Sequence, residues 1–154
     1  MWLAEVKTKI RRKNQILFSK DCLLLAGLRK LIEQTNRRAL ILWALELAEE
    51  TALQLAEKYP EDFRPREAIA AARAWAAGEI KMPIAKRVIL NCHAMAKELT
   101  DPADIARCHA VGQACSVVHT VGHALGYPMY ELSAIVLELG LDDCREAVEQ
   151  RVMY

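Results

Sequence analysis

The sequence predicts an all-α protein: a single domain of six to seven helices packed around one buried central helix at about residues 102–125. Three observations carry this. Alanine and leucine, both good helix formers, dominate the 154 residues, while six glycines and five prolines leave too little turn material for an all-β fold. Apolar residues recur at helical spacing along most of the chain. The 23 residues from Cys108 to Tyr130 contain no Asp, Glu, Lys or Arg, so a helix there belongs in the interior.

Taken in order, residues 1–19 fit no single element. EVKTKI alternates weakly with period two, and a frayed helix or an arm is an equal reading. From Lys20 to Gln34, Leu23, Leu24, Leu28, Leu31 and Ile32 fall at helical spacing, and Asn36 is placed to cap a second helix. That helix runs from about Arg37 to Tyr59 on a stripe of Leu40, Ala44, Leu47, Ala48, Thr51 and Leu55. Two prolines make KYPEDFRPRE a loop. Pro65 opens a third helix that Gly78 ends, and Pro83 a fourth that reaches about Leu99. Asp101 caps and Pro102 starts the fifth, which extends to about Leu125, where Gly126 and Pro128 stop it. A sixth covers about Met129 to Leu139, and Asp142 caps a last helix through about Val152. No repeat, low-complexity run or linker divides residues 1–154.

The net charge is +1, but it is unevenly spread. Residues 1–38 carry ten Lys/Arg against three Asp/Glu, a basic head of +7, and the remainder carries −6. Few aromatic residues interleave the head for base stacking, so no nucleic acid is favoured as a partner. The head can instead dock on the acidic remainder of its own chain or of a second copy, which leaves a homo-oligomer open. The five cysteines form no CxxC pair and match neither a zinc finger nor a disulfide framework; small buried hydrophobes in a reducing cytoplasm suit them. MWLAEVKTKIRRK is the reverse of a signal peptide. Three His, Gln113, Ser116, three Gly and Pro128 make the uncharged segment a poor membrane span.

Potentially reactive side chains concentrate on the fifth helix. At 100° per residue, His109, Ser116, His119 and His123 fall on one face. His119 and His123 are four apart, the spacing at which two imidazoles on one helix chelate an ion. Against a metal, HTVGH lacks the glutamate of a zinc metalloprotease, and no Asp or Glu lies near to orient a ring. His93 lies beside Cys92 on the preceding helix. The favoured reading makes these histidines buried packing groups, hydrogen-bonded across helices, with no metal and no cofactor. Cys115 and His119 are near enough for a thiolate pair but lack a third orienting group. No G-x-S-x-G, P-loop or G-x-G-x-x-G occurs, so no catalytic residue is assigned and no enzyme is expected. Trp43 and Trp75 read as core anchors, and Glu46, Glu49 and Glu50 as a solvated face.

The segments LWALELAEE (42–50), KYPEDFRPREAIAAARAWAAGEIKM (58–82), NCHAMAKE around His93 and VVHTVGHAL around His119 and His123 together resemble a family of bacterial immunity proteins of polymorphic toxin systems. The resemblance covers about residues 39–130. It implies an all-helical protein that neutralises a cognate toxin protein by binding, and it assigns no catalytic or binding residue. Glu61, Asp62, Arg64, Arg66, Arg73 and Glu79 of its most distinctive segment are expected to pair within the fold and set the loop geometry. Two other readings stand beside it: a small metal- or ligand-binding protein using His109, His119 and His123, and a self-associating structural protein.

Overall fold

The computed structural model describes residues 2–120 and 123–153. Eight α-helices occur among them: α1 Trp2–Arg11, α2 Ala26–Gln34, α3 Arg37–Lys58, α4 Arg64–Ala76, α5 Met82–Ala96, α6 Pro102–Ser116, α7 His123–Leu139 and α8 Arg145–Met153, with a 3-10 turn at Leu23–Leu25 before α2. No strand is present among the described residues, so the all-α prediction holds, with more helices than six to seven.

Most boundaries follow local chemistry. The Asn36 side chain accepts from the Ala39 N–H at 2.8 Å, and Asp101 from the Ala103 N–H at 2.9 Å, each satisfying a donor that the helix start leaves without a partner. Pro65, Pro83 and Pro102 sit in first turns, where a missing N–H breaks no ladder bond. Gly78 ends α4 at φ +76°, a conformation that other residues adopt only with strain.

The central helix is α6, which packs against α3, α4, α5 and α7. Its buried positions are mostly small (Ala103, Ala106, Cys108, Ala110, Gly112, Ala114, Cys115), so neighbouring backbones approach closely. Its extent corrects the expected span of about 102–125: α6 ends at Ser116, and Gly126 and Pro128 lie inside α7. Arg37 at the start of α3 donates to the Val118 carbonyl and so satisfies an acceptor at the exit of α6. Pro128 costs α7 one ladder bond early in the helix. Gly126 is needed for contact, because a Cβ there would overlap the Gln113 side chain of α6. Gly126, read as a stop signal, is instead where α7 lies close on α6.

A second apolar cluster joins Trp2, Val6, Leu17, Phe18 and Leu25 to Leu132 and Val136 of α7 and Val148 of α8. The Leu17 N–H donates to Ser133 Oγ at 2.9 Å. The head is therefore a docked helix and strap, not an extended arm. The ion pair it makes among the described residues, Arg29 with Asp21 at 3.9 Å, stays within the head. Trp2 and Phe18 face each other at 5.8 Å in this core, away from any base-stacking role. The last helix starts at Arg145, three residues after the expected Asp142 cap. No helix among the described residues is long and apolar enough to cross a membrane.

A histidine cleft between α4, α5 and the α6–α7 turn

The cleft begins with two cysteines. Cys92 on α5 and Cys108 on α6 are fully buried in the main core, and each is followed directly by a histidine. One residue further round each helix, His93 and His109 emerge at the shared edge. Their Nδ1 atoms lie 2.7 Å apart with ring centroids at 5.0 Å. A single N–H lies between two ring nitrogens at that distance, so one ring donates from Nδ1 and the other accepts there. Gly112, less than one turn beyond His109, lies under the His93 ring, and a methyl group there would occupy the space of that ring. The His109 ring also meets Tyr130 of α7, 5.1 Å between centroids.

One turn along α6 from His109, Gln113 Oε1 accepts from His123 Nδ1 at 2.7 Å, which ties the first residue of α7 to α6. His119 sits in the exposed turn after α6. Its Nδ1 bonds Thr120 Oγ1 at 2.8 Å, and its ring stacks on Trp75 of α4, 5.7 Å between centroids and 24° from parallel. Met82, Lys86 and Leu90 of α5 form the opposite wall of a cleft of about 310 Å³. Ser116 lines it too, but its hydroxyl donates back to the Gly112 carbonyl at 2.9 Å.

Among the described residues, no carboxylate lines the cleft. Burial pushes the His93 imidazolium down to about 4, with His109 and His123 adding repulsion. Burial likewise lowers His109, and burial with the nearby His119 lowers His123. These three rings are neutral at pH 7. Burial also raises the Cys115 thiol to about 12, so a Cys115–His119 thiolate pair has no support at neutral pH.

The structure places Ser116, His119 and His123 along one cleft, but not on one helix face, while His109 does not line it and meets it through His93. His119 lies beyond the end of α6 and His123 is the first residue of α7, so no single helix among the described residues carries both at the i, i+4 spacing. Among the described residues, no group of three or more His, Cys, Asp or Glu gathers as a metal site would require. Sequence reasoning left His93 at the margin, although a signal was available: both paired histidines directly follow a cysteine of an apolar stripe, which puts them at matching edges. The α5 wall had no comparable signal.

Elsewhere the charged motif residues pair in part. Arg64 holds Asp62 and Glu98, both at 2.6 Å, and Arg73 holds Glu49 at 2.5 Å. Arg66 lies over the Phe63 ring at 5.0 Å, while Glu61 and Glu79 are exposed. The buried Asp104 accepts from Tyr59 at 2.7 Å and pairs with Lys58 and Arg107, which locks the loop before α4 to α6.

Gly112→Ala tests the cleft's packing. The methyl must displace His93 and split its bond to His109, outweighing the gain of about 1 kcal/mol that alanine brings to a helix. A net loss of about 1–2 kcal/mol in urea unfolding is expected. Gly27→Ala on α2, where nothing lies within 4 Å of the added carbon, should instead be neutral or stabilising by up to about 1 kcal/mol. Equal effects at the two sites would contradict the packing described.

Fold and cleft together define a small all-helical protein with a histidine-rich recess that Lys86 also lines. The chain belongs to the Imm-5 like putative immunity protein family, whose model matches residues 30–154. No curated protein and no solved structure matches it. The matched residues contain the whole cleft and exclude α1, the strap and the first residues of α2.

Proposed function

We propose that the chain, acting as one unit over residues 1–154, is an immunity protein that neutralises a cognate bacterial toxin in the cytoplasm by binding it, without catalysing a reaction. The family membership of residues 30–154 carries this reading. Its physical support is a closely packed helical frame, crossed by ion pairs that join α3 to α4 and α6, which presents a pre-organised surface to a partner. The five cysteines are free and buried, as a reducing compartment suits.

The four histidines act in this reading as packing and positioning groups, since each Nδ1 already has a partner. Added zinc should then leave the melting temperature unchanged; a stabilising shift lost in His93→Gln would favour metal capture instead.

Pulldown from the source cell with mass spectrometry, followed by co-expression with the toxic domain it captures, tests the main proposal. Growth is expected to be restored, and the two purified proteins should co-elute as a stable complex. Continued toxicity, with the chain folded and abundant, would refute it.

A further inference from the structure

We propose that the histidine cleft is where the partner docks, and that the partner presents there an apolar side chain beside a carboxylate. This rests on the immunity reading and names its surface and the chemistry of the contact. Met82, Lys86 and Leu90 are four residues apart and form one row along α5, with Trp75 and His119 stacked across from them. Met82 is 39% exposed and Leu90 53%, although the inner face of α5 is fully packed. This is apolar surface that the chain itself does not cover, beside a recess of about 310 Å³ suited to a single large side chain.

Charge decides the partner's chemistry. Lys86 stands in the wall, exposed, and makes no ion pair among the described residues. Four other recesses each carry at least one carboxylate; this one carries none among the described residues. An exposed lysine in a wall with no described carboxylate favours an acidic partner and opposes a basic one. The basic head is the rival surface, with Leu23 74% exposed, but it lies largely outside the family-matched residues.

Lys86→Glu and Leu90→Glu, made separately in the full chain, test the assignment against the purified cognate toxic domain by calorimetry. Both positions are exposed, and circular dichroism and melting verify that the variants fold. Each substitution is expected to weaken binding by about 30-fold or more, as for a central contact, and to abolish growth rescue. Lys9→Glu combined with Arg12→Glu in the head should change affinity by no more than about 3-fold, as for peripheral charges. Wild-type affinity in both cleft variants overturns the proposal while leaving the immunity reading intact, and loss confined to the head variant moves the contact there. Self-association of the chain that Leu90→Glu abolishes would assign the cleft to a second copy instead. Failure of the wild-type chain to bind removes the immunity reading and this proposal together.

Discussion

Arg151→Met is expected to lower the unfolding free energy by about 2–4 kcal/mol at pH 7. Arg151 on α8 reaches Glu131 of α7 at 2.7 Å and Glu50 of α3 at 3.0 Å, so one guanidinium ties three helices together. Glu131 has only 14% of its side chain exposed, and burial already pushes its carboxyl above the usual range against the pull of Arg151. Close by, the buried Tyr127 hydroxyl lies 2.9 Å from Thr51 Oγ1 and donates to the Leu47 carbonyl at 3.1 Å, so this part of the core has little freedom to rearrange around a bare carboxylate. Removing the cation leaves the buried Glu131 carboxylate with the Tyr127 hydroxyl but no opposing charge, which costs far more than the loss of an exposed pair.

Two further measurements separate this from simple loss of packing. Glu131→Gln added to Arg151→Met should recover most of the deficit, because no charge is then stranded. The single variant's deficit should also shrink on acidification from pH 7 toward pH 5. A raised carboxyl makes the folded state bind more protons than the unfolded state, so falling pH favours the fold. A deficit that is small and independent of pH would show that the pair contributes little.

The second large effect runs the other way with pH. Stability is expected to fall by about 1–2 kcal/mol between pH 7 and pH 5 through His93 alone, discounted for its partial exposure, with His109 and His123 adding in the same direction. The sign is set by the lowered values. With His93 held down to about 4, the unfolded chain binds a proton as pH drops through about 6.5, while the folded chain does not until near 4. The contribution is therefore present at neutral pH and is lost on acidification across that window. Protonating both His93 and His109 would also turn each Nδ1 into a donor, so their mutual bond cannot survive. Urea unfolding at several pH values checks this, with His93→Gln as the comparison. A variant profile as steep as the wild type between pH 7 and pH 5 would locate the sensitivity elsewhere.

Legibility differed by element for physical reasons. α3, α4 and α5 were readable because their ends are set by groups adjacent in sequence: the Asn36 cap, first-turn prolines and Gly78 at positive φ. The same rules misplaced the end of α6. Gly126 and Pro128 satisfy every local criterion for a stop, yet α7 runs through both, because contact with Gln113 favours a residue without a side chain at 126. Tertiary packing overrode a propensity of a few kcal/mol at most. α1 was hidden for a related reason, since its apolar residues make sense only against α7 and α8.

The histidines show where the boundary lies. Their number, their lack of neighbouring carboxylates and the uncharged run that contains three of them were properties of the chain, and they pointed to an interior or recessed location. Which rings meet was not. His93 reaches His109 across two helices because the cysteines before them are both buried, and His119 and His123 return to the same cleft because the chain turns after Ser116. By itself the sequence determined an all-helical body and its family, since helical periodicity and capping are short-range and a long distinctive string survives in one dimension. The cleft, its charge and the clamp at Arg151 were decided only by the tertiary structure, because each depends on side chains from helices that become neighbours only when the core closes.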